Sequence, residues 1–146
     1  MGKVRLRVRG NSTLCLGSFN VEGGLATKCS LLEFNQLVSK FDIICIQESW
    51  LCGHQTISMP GYNFFRNDRK KSPKAKRGSG GVVVLFKHSL QRGLTKIPSR
   101  ANDVMWVKLD KAVFGLQQHV YVACVYIAPE RYTANNEYDP LLLRMK

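Results

Sequence analysis

The sequence predicts an α/β domain in which a mixed β-sheet carries a flanking helix. Three observations support this. Residues 43–46 (Ile-Ile-Cys-Ile) form a short, uninterrupted apolar run ending in Gln47-Glu48, the pattern of a strand buried on both faces. Just upstream, Leu31, Phe34, Val38 and Phe41 recur at helical spacing, so a helix leads into that strand. Residues 82–86 (Val-Val-Val-Leu-Phe) make a second such run, introduced by Gly78-Ser79-Gly80-Gly81.

Along the chain, Lys3, Arg5, Arg7 and Arg9 alternate with Val4, Leu6 and Val8, so residues 1–12 read as a basic N-terminal strand or arm. Residues 13–19 are the first strand of the domain proper and end in Asn20-Val21-Glu22-Gly23-Gly24. Ser30-x-x-Glu33 has the form of a capping box, and the predicted helix of about a dozen residues then delivers the chain to the strand at 42–47. This is a β-α-β unit, and its two strands should be parallel. Parallel strands end on the same edge of a sheet, so Asn20 and Glu48 should meet there, at the rim where open α/β sheets keep their chemistry. Residues 62–66 are a further strand. Between it and the strand at 82–86 lies a loop rich in cations: Arg66, Arg69, Lys70, Lys71, Lys74, Lys76 and Arg77. The glycines at 78–81 lack the Lys-Ser/Thr ending of a nucleotide-binding loop. Residues 103–109 and 119–127 are two more strands joined by a turn around Gly115, and short connections make them antiparallel neighbours. No repeat or linker divides residues 13–130, and 131–146 form a tail.

Composition narrows the class. The 146 residues, 45% hydrophobic and 22% charged, suit one globular domain. Twenty-two Lys and Arg against ten Asp and Glu give a net charge of +12, which favours polyanions, nucleic acid first. No apolar run approaches the ~20 residues needed to span a bilayer. The N-terminus has no secretory apolar region, and Leu6 stands where myristoylation needs Ser or Thr. The expectation is an intracellular, nuclear protein without a membrane partner. The five cysteines contain no C-x-x-C pair, and Cys15, Cys45 and Cys124 fall in apolar runs. They read as core thiols in a reducing compartment, not as a disulfide framework or a zinc site.

Five segments in order, Ser18-Phe19-Asn20-Val21-Glu22-Gly23, Ile44-Cys45-Ile46-Gln47-Glu48-Ser49-Trp50, Pro60-Gly61-Tyr62, Arg77-Gly78-Ser79-Gly80-Gly81-Val82-Val83-Val84 and Val125-Tyr126-Ile127-Ala128-Pro129, resemble the N-terminal half of the endonuclease/exonuclease/phosphatase family. The wording is most similar to its non-LTR retrotransposon endonuclease branch. The resemblance implies half of a DNase I-like four-layer α/β-sandwich, with the second half missing and one face of the sheet left open. It implies Glu48 as the metal-binding carboxylate for Mg²⁺ (or Mn²⁺) and Asn20 as the strand-end amide beside that metal. Tyr126 is implied as the tyrosine that contacts phosphate, although an alignment anchored on Pro129 gives that position to Ile127.

The implied function is a Mg-dependent phosphodiesterase acting on DNA, with the basic loop at 66–77 contacting the nucleic acid. The family's later Asp, Asn and His motifs have no counterpart here, so this chain is expected to be inactive alone. Its implied partners are DNA and the missing C-terminal half of the domain or a downstream reverse transcriptase. Two other readings remain: a non-catalytic basic module that binds nucleic acid, and a phosphoesterase of the same fold acting on lipid or inositol phosphates.

Overall fold

The computed structural model describes residues 1–70, 73 and 78–128. In chain order they form β1 (Gly2–Arg7), β2 (Thr13–Asn20), α1 (Leu25–Lys28), α2 (Leu32–Val38), β3 (Ile43–Gln47), β4 (Tyr62–Asn67), β5 (Val82–Lys87), β6 (Leu94–Ile97), β7 (Val104–Leu109), α3 (Lys111–Phe114) and β8 (Val120–Val125). The tail at 131–146 and the cations Lys71, Lys74, Lys76 and Arg77 lie outside the described residues.

The run at 43–46 occupies the middle of a five-stranded mixed sheet in the order β1-β2-β3-β5-β4. β2 and β3 are parallel, with Asn20 paired to Gln47, whereas β3 and β5 are antiparallel, with Gln47 paired to Val82. Side chains alternate across a strand, and here both sets are apolar. Ile44, Ile46, Val83 and Leu85 face a core shared with Leu25, Phe34, Val38 and Phe41 from the helical layer. Ile43, Cys45, Val82, Val84 and Phe86 face Met105, Val107, Leu109 and Cys124 of a second sheet. Ile43, Ile44 and Ile46 are at most 1% exposed, so truncating any one to Ala costs about 2–5 kcal/mol.

That second sheet corrects one expectation. The three-stranded antiparallel sheet β6-β7-β8 covers the face of the central sheet that the sequence reading left open. The error lay in reading the strands at 103–109 and 119–127 as additions to a single sheet and in missing β6, whose four residues carry little periodicity. The turn around Gly115 is a short helix, α3, capped by the Asp110 carboxylate, which accepts from the amides of Ala112 and Val113.

The connection between β2 and β3 also differs. In place of one helix of a dozen residues there are α1 and α2, of four and seven residues. The capping box does not form: the Ser30 hydroxyl donates to the Thr27 carbonyl, closing the preceding turn, and Leu31 is the N-cap with no side-chain cap. Phe34 and Val38 keep the buried face that their spacing implied, but Leu31 is 47% exposed. No helix among the described residues is long and apolar enough to cross a membrane.

Candidate active site

The rim where β2 and β3 end is shaped by two glycine turns that clamp the chain after β3. On one side the Val21 amide donates to the Gln47 carbonyl (3.0 Å) and the Gly23 amide to the Glu48 carbonyl (2.7 Å). On the other, the Ser49 and Trp50 amides donate to the carbonyls of Gly81 and Gly80 (3.3 and 3.1 Å). Between these clamps Glu22, Glu48 and Trp50 are held at φ values of 52, 54 and 54°, a left-handed conformation that non-glycine residues adopt at a cost and that clusters at functional sites. Gly23 is obligatory here: its φ is +84° and a Cβ would lie 1.9 Å from the Trp50 ring.

The two residues that the parallel pairing was expected to bring together do meet. The Asn20 Nδ2 donates to Glu48 Oε1 at 2.8 Å, across 28 positions of sequence. The Glu22 amide donates to Asn20 Oδ1 at 2.9 Å. Because a backbone amide can only donate, this bond fixes the orientation of the side-chain amide, so Asn20 turns its NH₂ group to the carboxylate and keeps its oxygen away from it. Glu48 forms no ion pair with any described cation within 4.0 Å. Among the described residues its charge is held by the neutral Asn20 amide and meets no ion-pair partner.

Tyr126 completes the group from the second sheet. It follows β8, and its amide donates to the Asp103 carbonyl at 2.9 Å. Burial, then the charge of Glu48 and a hydrogen bond to it, push the Tyr126 hydroxyl above its usual range, with Arg69 opposing. The phenol therefore stays protonated at neutral pH and is available as a donor. Ile127, the alternative on the sequence, is 39% exposed. A Cβ on Gly80 would stand 3.0 Å from Arg69, 3.2 Å from Asp103 and 3.4 Å from Tyr126, so these three side chains converge on that glycine. Asp103, 5% exposed, was missed by sequence reasoning. Its place shows only in the register that pairs Val104 with Val125, which sets the residue before β7 against the residue after β8.

The basic loop is divided. Arg66 is tied into the fold, with Nε donating to Asp68 Oδ1 at 2.9 Å and the guanidinium donating also to the Gln55 carbonyl. Arg69 lies beside Tyr126, and Lys70 is exposed. The histidines do not join the site. His119 sits 3.8 Å from Asp110, but it precedes β8 while Tyr126 follows it, about 23 Å away at 3.3 Å per residue. His88 follows β5 at the opposite rim and His54 is in an exposed loop.

Among the described residues no three His, Cys, Asp or Glu are grouped to enclose a metal ion. The donor set fits a hard divalent cation held by one carboxylate and otherwise by water or phosphate oxygens, which is how Mg²⁺ is usually bound. The chain has no match among individual curated proteins. The family model for the endonuclease/exonuclease/phosphatase family matches residues 17–137, which run from the second half of β2 through β8 and so include Asn20, Glu48 and Tyr126. With a nuclease- and phosphatase-type fold matched over most of its length, the chain belongs to the endonuclease/exonuclease/phosphatase family.

Proposed function

We propose that this chain carries the cation-binding part of a Mg²⁺-dependent (or Mn²⁺-dependent) DNA endonuclease of the non-LTR retrotransposon type. The observation that supports it best is a strand-end carboxylate, Glu48, oriented by the Asn20 amide, with Tyr126 beside it and no ion-pair partner among the described residues. A bound divalent ion would supply charge neutralisation at the scissile phosphate. Glu48 is then the carboxylate that holds the ion. Asn20 is a positioning residue, since its oxygen is engaged by Glu22 and only its NH₂ reaches the acid. Tyr126, protonated at neutral pH, would transfer its one hydrogen bond from Glu48 to a phosphate oxygen when substrate binds and so stabilise charge that develops there.

Arg69 and Lys70, with the rest of the loop at 66–77, are the proposed contacts to DNA, and a net charge of +12 supports that partner and a nuclear location. Arg66 contributes indirectly, by bracing the loop against Asp68. His88 and His119 lie at the far ends of β5 and β8 from Glu48, so neither takes a proton from water attacking there. The water-activating pair is therefore proposed to come from further protein, either the C-terminal half of the domain or a chain attached to a reverse transcriptase.

Mn²⁺ binding, followed by paramagnetic broadening of the free-ion signal, tests the cation reading. The wild-type chain should bind one ion weakly and Glu48→Gln should not; equal binding by both would overturn the assignment. A plasmid-nicking assay tests the remainder. The chain alone should leave supercoiled DNA intact in Mg²⁺, and robust nicking lost in Glu48→Ala would overturn the need for further protein.

A further inference from the structure

We propose that the row Lys3, Arg5 and Arg7 on β1 is a second phosphate-binding surface, which grips the backbone of nucleic acid at nucleotides away from Glu48. β1 is an edge strand paired only with β2 among the described strands. Its register sets Lys3 opposite Gly17, Arg5 opposite Cys15 and Arg7 opposite Thr13, so the three cations share the face on the helical side. The alternate residues Leu6 and Val8 pack into the core between the sheets, which fixes which way the cations point. All three are exposed, and none makes an ion pair with a described acid. Lys3 lies 5.9 Å from the centre of the Phe41 ring, which steadies the start of the row. Arg9 is not part of it, because its guanidinium donates to the Ala112 carbonyl at 3.1 Å.

Spacing favours a polyphosphate backbone. Alternate residues of a strand advance about 6.7 Å, close to the roughly 6.8 Å axial advance of two phosphates along one strand of a duplex. Opposite Arg7 and Arg5 stand the exposed Thr13 and the half-buried Cys15, while the Phe41 ring covers Gly17 opposite Lys3, so the approach is freest at the two arginines. Because β1 runs antiparallel to β2, the row starts about 10 Å from Asn20 and ends about 23 Å from it at 3.3 Å per residue. Nucleic acid held here thus extends well past the nucleotide at Glu48. The competing explanation is that charges on an exposed edge serve to prevent strand addition.

The inference takes its class of partner from the nucleic-acid reading above, but the two fail in different experiments. Binding of a short labelled duplex DNA is measured by anisotropy at several salt concentrations for the wild-type chain, for the triple variant Lys3→Gln/Arg5→Gln/Arg7→Gln and for Glu48→Gln. Each lost phosphate contact removes about 0.9 from the slope of log K against log salt, so the triple variant should lose about 2.7 in slope while Glu48→Gln keeps the wild-type slope. An unchanged slope in the triple variant overturns the proposal, whether or not that variant self-associates. So does unchanged DNA binding with lost binding to vesicles containing anionic lipid. Should the triple variant fail to fold, dicarbonyl modification of arginine in the wild-type chain decides: duplex DNA should protect Arg5 and Arg7, and lack of protection overturns the proposal. Loss of cation binding in Glu48→Gln, by contrast, bears only on the active-site reading.

Discussion

β3 is flanked by two acids, and they are treated in opposite ways. Asp42, just before the strand, is fully engaged: Oδ1 accepts from the Lys87 ammonium at 2.8 Å and Oδ2 from the Cys15 amide at 2.7 Å. Glu48, just after it, accepts from the amide of Asn20 with Tyr126 beside it, and no described ammonium or guanidinium is in ion-pair range. The first arrangement ties β2, β3 and β5 together at one rim. The second leaves a negative charge fixed in direction and available to a cation. What separates the two carboxylates is therefore the charge of their described partners: both accept hydrogen bonds, but only Asp42 has a described cation among its donors.

The sharpest test of that contrast is to neutralise Glu48 without changing its shape. Glu48→Gln should reduce Mn²⁺ affinity at least 100-fold, about 2.8 kcal/mol at 1.4 kcal/mol per decade, while urea unfolding shifts by less than about 0.5 kcal/mol, as for a surface change. A large loss of stability would show that Glu48 is structural after all. Asp42→Ala should behave in reverse. It leaves the Cys15 amide without its acceptor and Lys87 without its partner, at a cost of about 1–3 kcal/mol, with Mn²⁺ affinity within twofold of wild type. Smaller again is Asn20→Ala, which removes a partner of the cation-binding group and should weaken Mn²⁺ binding about tenfold with little change in unfolding.

Much of this was legible in the sequence, for physical reasons. Residues 43–46 and 82–86 are apolar without interruption, so burial on both faces followed from composition alone. The β-α-β order made β2 and β3 parallel, and parallel ends placed Asn20 beside Glu48 across 28 positions. The details of the helix were not legible, because Ser30 forms a turn with Thr27 that competes with the capping box it spells. Nor was the second sheet: strand runs such as 103–109 alternate in the same way whichever sheet they join, and only long-range packing of Met105, Val107 and Cys124 onto Val82 and Val84 decides. The orientation of the Asn20 amide was not legible for a similar reason. Its position could be read, but the bond from the Glu22 amide that turns its NH₂ toward Glu48 depends on the left-handed turn at Glu22.

The smallest effect lies at alkaline pH, where each acid has raised the pKa of a neighbour. The hydrogen bond that Lys87 donates to Asp42 raises Lys87, while burial first and Glu48 second raise Tyr126. In both cases the folded protein holds its proton more tightly than the unfolded chain, so the stabilisation is complete below the ordinary values of 10.5 and 10.0 and is lost as pH climbs through the raised ones. Asp42→Asn removes the main cause for Lys87 and should flatten the alkaline decline in stability that belongs to that lysine. Glu48→Gln removes only the lesser causes for Tyr126, because burial stays. Phenolate absorbance, with Tyr126→Phe as the blank, should show Tyr126 titrating lower in Glu48→Gln than in the wild-type chain yet still above 10.0. If the titration does not move, Glu48 and Tyr126 are not neighbours in solution, and the carboxylate after β3 loses one of the two neutral donors that distinguish it from the one before.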